Sequence, residues 1–378
     1  SEYIAPPNQT QVHAPGIVET PQGDLIVSWY SESEGHDTDA AIWGARRNCG
    51  EAAWSSPFVM ANRREFPDCN TCMWIDPQQR LWLFWPTIIG NSWESSLMNF
   101  RVSDQYGADS IPKWSREGLI LLKPADFAEE GLRLLGDRKI RPPRGAIVGP
   151  DGQRAKLSDP LYQRLGWAPR CKPISLPSGR ILLPLYSDTF AISIMAVSDD
   201  QGENWYPSKP LLGFGNIQPT LFRRRDGTLV AYMRAVSAPT KIRSSESTDE
   251  GLTWGPVTAT SLPNPGSGID GVTLANGHWL LVYNDSENDR TTLAVSISED
   301  EGQTWAHTRH LERQPAGRFH YPAAIQAADH SIHVIYPCFL PPQPGSPESI
   351  NANGKPVQFV TYANKHARFN EEWVKSKE

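Results

Sequence analysis

Short apolar runs that each follow a turn recur through the chain. In residues 21–29, Pro-Gln-Gly-Asp precedes Leu-Ile-Val-Ser-Trp. Related segments lie at 77–84, 177–184, 225–232, 275–282 and, less clearly, 328–335. Apolar runs bounded by Gly, Pro, Asn and Asp are typical of β-strands. Because each run also follows another apolar stretch, the pattern predicts six hairpins.

A repeat of eight residues is interleaved with these hairpins. Its copies occupy residues 198–205, 247–254 and 298–305, so they start 49 and 51 residues apart (247−198 and 298−247). Ser and Asp can bond backbone N–H groups of a tight turn, Gly supplies a positive φ, and the final Trp can pack against a neighbour. A period near 50 residues, rich in strands, indicates small sheets repeated around an axis.

The chain is therefore predicted to be an all-β protein, a single β-propeller domain over residues 1–378. Six blades are expected, with seven as the alternative. The hairpins at 77–84 and 177–184 are separated by about twice the period, and residues 118–166 between them are polar with little strand alternation. They predict a long insertion, the alternative being a degenerate seventh blade. The terminal segments are expected to complete one blade together.

Composition narrows the classes of partner and location. The formal net charge is −6 without a long basic run, which does not favour a nucleic-acid partner. No stretch approaches 18 apolar residues, so no membrane span is predicted. The chain opens with Ser1-Glu2-Tyr3 and lacks an initial Met, as a trimmed mature form would; if it is one, a secreted or periplasmic location is favoured, and otherwise the sequence leaves the location open.

Cysteine usage gives no sign of a disulfide framework or a metal centre. The five cysteines leave at least one unpaired, and Cys69 and Cys72 form a single C-x-x-C motif within a predicted strand. Residues at i and i+3 of a strand face opposite ways, which disfavours a shared metal. We therefore predict no metal site and no cofactor, although a structural calcium ion is compatible with the sequence.

Polar residues open each predicted blade. The innermost strands of a propeller begin at the rim of the central cavity, so these residues are expected to converge there. They include acids, imidazoles and a phenol, the groups that general acid–base and nucleophilic catalysis require. The candidate catalytic residues are His13, Asp68, Asp270, His320 and Tyr321.

Cationic residues accompany these openings. Arginine has the shape to hold a carboxylate through two parallel hydrogen bonds. Arginines beside acids at one cavity therefore predict an acidic oligosaccharide or polysaccharide as the partner. The candidate substrate-binding residues are Arg46, Arg170, Lys172, Gln218, Arg234 and Arg318.

The octet matches the Asp-box, Ser-x-Asp-x-Gly-x-Thr-Trp. Together with segments 215–220, 263–270 and 321–326, it resembles the BNR-repeat, sialidase-like superfamily of β-propellers. The resemblance covers nearly the whole chain except 118–166, and it implies that the Asp-box turns lie at the outer edge of each blade. Function must then be located elsewhere on the scaffold.

The same resemblance implies an active site. In sialidases three arginines hold the sialic-acid carboxylate, a Tyr paired with a Glu is the nucleophile, and an Asp is the acid/base. Arg234 resembles one carboxylate arginine, and Tyr321 lies where a late blade could offer the nucleophile, with Arg318 close by. No Glu matches the partner role. The resemblance thus implies an exo-acting glycoside hydrolase that removes the terminal sugar of an acidic glycan.

One departure from the family leaves other activities open. The first sialidase arginine lies in an Arg-Ile-Pro motif, where this chain has His13-Ala14-Pro15. Some sialidase-like propellers instead cleave rhamnose that caps glucuronate, in part by β-elimination. Elimination requires a base, a cation and an acid, which His13 or His320 with Tyr321, and Arg170 or Arg234, would supply.

Two further alternatives remain at this point. Hydrolysis by a pair of carboxylates would use Asp68 and Asp270 as the nearest candidates. A propeller that binds glycan without cleaving it is the alternative from a different class. The many titratable groups at the predicted rim favour an enzyme over such a binding protein.

Overall fold

The computed structural model describes residues 1–7, 11–31, 40–107, 111–124, 127–136, 155–213, 215–342, 358–359 and 361–376. Within these residues the strands form six antiparallel sheets, each with four strand positions from the inside outwards. The sheets are the blades of a β-propeller. The predicted all-β fold with six blades is therefore confirmed.

Blades 1 to 3 follow one another along the chain. Blade 1 contains β2 (Val12–Glu19), β3 (Leu25–Ser31), β4 (Ala41–Arg47) and β5 (Phe58–Ala61). Blade 2 contains β6 (Cys72–Ile75), β7 (Leu81–Ile88), β8 (Ser96–Ser103) and β9 (Arg116–Leu119). Blade 3 contains β10 (Trp167–Pro169), β11 (Ile174–Ser175), β12 (Ile181–Ser187), β13 (Ile192–Ser198) and β14 (Tyr206–Pro207).

Blades 4 and 5 have the same order, and blade 6 closes the ring. Blade 4 contains β15 (Asn216–Arg223), β16 (Leu229–Ala235), β17 (Lys241–Ser247) and β18 (Thr258–Pro263). Blade 5 contains β19 (Asp270–Thr273), β20 (Trp279–Tyr283), β21 (Thr292–Ser298) and β22 (His307–Arg313). Blade 6 contains β23 (Arg318–Phe319), β24 (Ala323–Gln326), β25 (Ile332–Leu340), β26 (Thr361–Phe369) and β1 (Glu2–Tyr3).

The two ends of the chain meet in blade 6, as predicted. Strand β1 pairs with β26, so that Glu2 lies opposite His366 and Tyr3 opposite Lys365. The amino-terminal strand thus supplies the outermost strand of the last blade. This pairing covers an edge that would otherwise offer free backbone groups.

The core lies between neighbouring blades. Strands β7 and β12 are buried at every position because both of their faces pack against other blades. This explains why the sequence shows continuous apolar runs there instead of alternation. The blades therefore form a rigid frame around the central axis.

The Asp-box turns connect third and fourth strands, at the edge opposite the blade openings. In the second copy Asp249 Oδ1 bonds Ser247 Oγ at 2.8 Å and accepts from Thr253 N at 2.9 Å, while Gly251 N donates to Ser247 Oγ at 3.0 Å. Gly251 has φ +83°, which disfavours a side chain. The other copies make the same three bonds. The predicted turn chemistry is confirmed.

The predicted insertion lies between blades 2 and 3. Its described part contains helices α1 (Phe127–Gly136) and α2 (Pro160–Arg164) and no strand after Leu119 until Trp167. Its apolar side chains pack against these two blades, with Ile120, Leu122 and Leu157 fully enclosed.

Two short helical segments lie outside the insertion. A 3₁₀ turn spans Trp93–Ser95, and α3 spans Glu371–Lys375. None of the helices in the described part of the chain is long and apolar enough to cross a membrane.

Candidate functional site

First strands begin, and second strands end, at one edge of each blade. His13 in β2 pairs with Tyr30 in β3, and Ile217 in β15 pairs with Arg234 in β16. Side chains from both positions therefore meet at the same mouth of the propeller. Among the predicted residues, the structure brings His13, Gln218, Arg234, His320 and Tyr321 together there.

The backbone is strained at several of these openings. Ala14, Asn70, Gln218 and Tyr321 have φ of +43°, +43°, +56° and +49°. Strand register shifts at two of these sites, between His13 and Gly16 and between Ile217 and Thr220. Such left-handed residues cost about 1–3 kcal/mol each and bulges re-aim side chains, so both features are concentrated at functional sites.

Tyr321 is at the centre of the mouth. Arg234 Nη1 donates to Tyr321 Oη at 2.8 Å and lies 3.4 Å from Gln218 Oε1. The guanidinium carbons of Arg234 and Arg290 lie 5.8 and 5.5 Å from the centre of the Tyr321 ring. We refer to Tyr321, Gln218, Arg234, Arg290, His13 and His320 as the Tyr321 cluster.

The Tyr321 cluster lowers the pKa of its phenol. Burial acts to raise the pKa of Tyr321, but the charges of Arg234 and Arg290 and a hydrogen bond with Gln218 outweigh it. The pKa therefore lies below that of an ordinary tyrosine. A phenolate held by arginines can serve as a nucleophile or as a base.

The arginines carry more positive charge than the cluster itself balances. The pKa of Arg290 is lowered by burial and by the neighbouring charges of Arg234 and Arg318, although the phenol of Tyr321 opposes this. Arg234 Nε is buried without a hydrogen-bond partner. Like charges and an unpaired donor at one cavity indicate a site that is completed by an anion.

The charge of the Asp188 carboxyl group acts on this cluster. Asp188 follows β12 and interacts electrostatically with Tyr321, Arg234 and Tyr186. Its side chain reaches solvent but is surrounded by protein, as expected on a cavity wall. The weak solvation raises the pKa of Asp188, while Arg234 lowers it less. A carboxyl with a raised pKa is suited to donating a proton.

Two imidazoles form the opposite side of the cluster. The rings of His13 and His320 stack at 5.6 Å, and the ring of Phe339 contacts them edge-on at 5.2 and 4.7 Å. Burial, followed by the charge of Arg290, lowers the pKa of His13 to about 4 and that of His320 well below its ordinary range. Both imidazoles are therefore neutral at pH 7, and His320 Nδ1 has no hydrogen-bond partner.

Gly268 permits the close packing of this cluster. A Cβ atom there would lie 2.8 Å from Tyr321 Cδ1 and 3.2 Å from Gln218 Oε1. Any larger residue would displace the phenol or the amide. The Ser-Gly-Ile segment before β19 is thus part of the site although it carries no reactive group.

Three predicted residues lie on the central axis. Arg170 is buried and donates to the carbonyl oxygens of Pro15 and Pro322 at 3.1 and 2.6 Å and to that of Tyr321. Its guanidinium carbon lies 5.6 Å from the centre of the Tyr321 ring, so Arg170 also borders the Tyr321 cluster. Lys172 Nζ pairs with Asp270 Oδ2 at 2.9 Å, and the same oxygen accepts from the backbone of blade 6. These contacts join blades across the axis. The predicted roles of these three residues in catalysis and substrate binding remain predictions.

The remaining predicted residues have other partners. Asp68 is fully buried and accepts from Trp85 Nε1 at 2.8 Å, and Arg46 pairs with Asp24 at 2.9 Å. These two contacts do not involve the Tyr321 cluster. Arg318 is exposed, near enough to Arg290 and His320 to affect their pKa values.

Arg290 and Asp188 belong to the site but were not among the residues predicted from the sequence. Both follow the second strand of a blade, Arg290 after β20 and Asp188 after β12, in loops without a recurring motif. The signal that could have found them is the position of Arg234, which also ends a second strand. In this fold the ends of second strands therefore contribute side chains to the mouth, as the starts of first strands do.

One group in the described residues offers three possible metal ligands. His278, Glu299 and Glu371 have ligand atoms within 4.8 Å of one another. Lys375 Nζ pairs with both glutamates, so a positive charge already balances this cluster. This group lies in blade 5 and helix α3. It offers one imidazole and two carboxylates, whereas Ca²⁺ typically takes about six to eight oxygen ligands.

Comparison with known proteins agrees with the fold. The model of the BNR repeat-like domain matches residues 165–334. No curated protein sequence matches the chain. A protein of unknown function from Dyadobacter fermentans is similar, with 14% identity, a TM-score of 0.67 and 96% coverage of both chains.

Sialidases are also among the similar structures. The NanB sialidase from Streptococcus pneumoniae has 12% identity and a TM-score of 0.67 over 98% of this chain and 70% of its own. The intramolecular trans-sialidase from Ruminococcus gnavus has 13% identity and a TM-score of 0.66 over 97% and 96%. Identities this low establish the fold alone. Residues 165–334, somewhat less than half of the chain, match the BNR repeat-like domain, and the six-bladed β-propeller is similar in fold to these sialidases.

Proposed function

We propose that the protein is an exo-acting glycoside hydrolase that removes the terminal sugar of an acidic glycan. The observation that carries this proposal is the 2.8 Å hydrogen bond from Arg234 to the phenol of Tyr321. Arg290 beside the same ring lowers the pKa of the phenol further. A reactive tyrosine between arginines fits a sugar that carries a carboxylate near the bond to be cleaved.

The carboxylate would bind to Arg234 and Arg290, with Arg318 at the rim. Each guanidinium can donate two parallel hydrogen bonds to one carboxylate. Binding would satisfy the unpaired donor of Arg234 and reduce the repulsion that lowers the pKa of Arg290. His13 stands where sialidases have their first carboxylate-binding arginine. The carboxylate would therefore be bound by fewer cations and more weakly, but still by arginines.

In the proposed reaction Tyr321 Oη attacks the anomeric carbon while Asp188 protonates the departing glycosidic oxygen. Water then attacks the tyrosyl–sugar bond, and the carboxylate of Asp188 accepts its proton. Gln218 cannot accept the phenol proton as a glutamate would. Because the charges of Arg234 and Arg290 lower the pKa of Tyr321, the phenol would instead release its proton to solvent before the attack.

A lyase is the second candidate, and Gln218 is the observation that favours it. With an amide and arginines around it, Tyr321 can act as a phenolate base without a carboxylate partner. It would take the proton from C5 of a uronate, a C4=C5 double bond would form, and the sugar linked through O4 would leave. Asp188 would protonate that oxygen, and the arginines would hold the uronate carboxylate.

Incubation with two glycans distinguishes these reactions. Sialyllactose and a rhamnose-capped arabinogalactan would each be treated with the protein, with absorbance followed near 235 nm and released sugars identified by chromatography. Released sugar without absorbance supports hydrolysis. Absorbance that rises with sugar release supports elimination.

The control is the Tyr321→Phe variant, which keeps the ring but loses the reactive oxygen. Loss of sugar release in this variant, with an unchanged melting temperature, supports the proposed role of the phenol. Full activity of Tyr321→Phe would overturn it. Binding without release by the wild-type protein across a broad panel of acidic glycans would favour a propeller that only binds glycan.

A further inference from the structure

A second, buried phenol lies next to Tyr321. Tyr186, on β12, is 2% exposed and interacts electrostatically with Tyr321. Asn70, which is 5% exposed and precedes β6 of blade 2, donates from Nδ2 to Tyr186 Oη at 2.5 Å. Because both residues are buried, they can act on a bound glycan only through other residues.

Gln218 connects this buried phenol to Tyr321. Its side chain hydrogen-bonds to both Tyr186 and Tyr321, and each bond acts to lower the pKa of the phenol. A hydrogen bond has this effect when the phenol oxygen accepts it, because the donor stabilises the phenolate. The amide of Gln218 has two N–H donors, so it can supply one to each phenol. We refer to Asn70, Tyr186 and Gln218 as the Gln218 bridge.

Arg234 fixes which atom of the Gln218 amide faces the phenols. Arg234 Nη1 lies 3.4 Å from Gln218 Oε1 and donates to Tyr321 Oη at 2.8 Å. A guanidinium only donates hydrogen bonds, so the amide atom beside it must be the oxygen, and the NH₂ group must face the two phenols. Tyr321 Oη therefore receives donors from both Arg234 and Gln218.

The backbone holds the Gln218 bridge in this arrangement. Asn70 and Gln218 have φ of +43° and +56°, and the strand register shifts between Ile217 and Thr220. A Cβ atom at Gly268 would lie 3.2 Å from Gln218 Oε1, so little space remains beside the amide oxygen. Strained residues and a bulge that aim one amide at two phenols indicate that the direction of this amide has a role in the site.

We propose that Asn70 and Tyr186 are positioning residues for Tyr321: Asn70 holds the Tyr186 hydroxyl, and this hydroxyl holds the Gln218 amide with one N–H group on Tyr321 Oη. Without the Tyr186 oxygen, one N–H group loses its acceptor and the amide is free to rotate. Its oxygen can then accept a hydrogen bond from the neutral phenol, which favours protonated Tyr321. The inference rests on the proposed role of Tyr321 in the reaction, but its first test needs no substrate.

Titration of Tyr321 in the Tyr186→Phe variant is this test. The ultraviolet absorbance of tyrosinate is followed as the pH rises, and subtraction of the same protein with Tyr321→Phe isolates the signal of Tyr321. We expect Tyr186→Phe to raise the pKa of Tyr321 by about one pH unit, a tenfold change in the ratio of phenol to phenolate. An unchanged pKa of Tyr321 in folded Tyr186→Phe would overturn the proposal.

The titratable and charged groups around Tyr321 are the same in the wild type and in Tyr186→Phe, since a neutral phenol is replaced by a neutral ring. A rise in the pKa of Tyr321 therefore reports a changed hydrogen bond. These groups are Arg170, Asp188, Arg234, Arg290, Arg318, His13 and His320.

Asn70→Gly provides a second test. Glycine accepts the φ of +43° at this position, and the substitution removes the donor to Tyr186 Oη. We expect a smaller rise in the pKa of Tyr321, because Tyr186 keeps its oxygen but is held less firmly. In the Tyr186→Phe background Asn70→Gly should add nothing, since Asn70 acts through Tyr186. Rises of equal size in both backgrounds would overturn this order of action.

Tyr283→Phe is the matched control. Tyr283 is also 2% exposed, and its hydroxyl bonds Ser296 Oγ at 3.1 Å within blade 5. Its loss should leave the pKa of Tyr321 unchanged, and a rise equal to that in Tyr186→Phe would overturn the proposal. Circular dichroism and melting temperature would establish that each variant is folded. If Tyr186→Phe does not fold, Asn70→Gly decides, and an unchanged pKa of Tyr321 there would overturn the proposal.

The pH dependence of activity separates this proposal from the proposed function. On a glycan that the protein cleaves, the acidic limb of kcat/KM should move to higher pH in Tyr186→Phe by as much as the pKa of Tyr321 rises. A raised pKa in a protein that cleaves no glycan would support the positioning role and contradict the proposed function. Cleavage that requires Tyr321, with a pKa that Tyr186→Phe does not change, would support the function and overturn the positioning role.

Discussion

The Asp-box turns and the Tyr321 cluster lie at opposite edges of the same blades, and they treat their polar groups differently. In each Asp-box the Ser and Asp side chains bond the turn itself, as Ser247 and Asp249 do. In the Tyr321 cluster, Arg234 Nε and His320 Nδ1 lack partners. The Ser and Asp side chains of the turns thus find their partners within the turn, whereas the arginine and imidazole nitrogens of the cluster do not.

This difference separates the residues that specify the fold from those that supply the chemistry. The turns recur because each closes a hairpin in the same way, with a tryptophan packed on the preceding blade, as Trp205 of blade 3 packs on Trp82 and Phe84 of blade 2. Residues at the mouth differ from blade to blade because each faces one shared cavity from a different side. Variants in the Asp-box turns should therefore lose stability, whereas variants in the Tyr321 cluster should lose activity.

The largest expected effect is that of Tyr321→Phe on activity. Removal of the nucleophilic or basic oxygen should lower kcat/KM by about 10³-fold or more. The melting temperature should change little because the ring remains. Tyr232→Phe is the matched control, since the Tyr232 hydroxyl bonds Gly302 O at 3.3 Å and the side chain of Trp305, beside an Asp-box turn, and this variant should retain activity.

The second-largest effect is expected for Arg290→Met. Loss of one carboxylate-binding cation is expected to raise KM for the acidic glycan by about 10- to 100-fold, with a smaller change in kcat. Kinetics of purified variants would measure this split. Arg224→Met, which removes an exposed partner of Glu246, is the control, and an equal rise in KM there would contradict the assignment.

Asp249→Ala should produce the reverse pattern. The carboxylate accepts from Thr253 N at 2.9 Å and from Thr253 Oγ1 at 2.6 Å, so its loss should lower the free energy of unfolding by about 1–2 kcal/mol. Denaturant unfolding would measure the change. Activity per folded molecule should remain at the wild-type level. A loss of activity per folded molecule would contradict the claim that the Asp-box turns act on stability alone.

The smallest expected effect concerns pH. The folded-state pKa of His13 is about 4 and that of His320 is well below its ordinary range, whereas both would titrate near 6.5 in the unfolded chain. The unfolded state therefore binds more protons below about pH 6.5, so stability should fall as the pH is lowered from 7 to 5. Melting curves should show a smaller decrease in His320→Leu. An unchanged slope would mean that this histidine is not buried in its neutral form.

The fold could be predicted from the sequence because its signals are local and repeated. The Ser-Asp-Gly-Trp spacing and the turn before each apolar run identify blades without knowledge of their neighbours. Part of the mouth could also be predicted from the sequence, because residues that open first strands, such as His13, Gln218 and Tyr321, must converge in a closed ring.

The rest of the site could not be predicted for equally physical reasons. Arg290 and Asp188 reach the cavity from loops after second strands, where no motif marks them. Lys172 and Asp270 open their blades as predicted, but they pair with each other on the axis. Position along the chain gives the edge of the blade, whereas the direction of a side chain depends on bulges and partners in other blades.

The most direct test of the account compares an acid with its neutral ester. Calorimetry would measure binding of N-acetylneuraminic acid, glucuronic acid and their methyl esters to the wild-type protein and to Arg290→Met. We predict that at least one acid binds the wild type ten times more tightly than its ester, and that Arg290→Met loses this preference. Equal binding of acid and ester to the wild type, or an undiminished preference in Arg290→Met, would contradict the claim that the Tyr321 cluster is completed by a carboxylate.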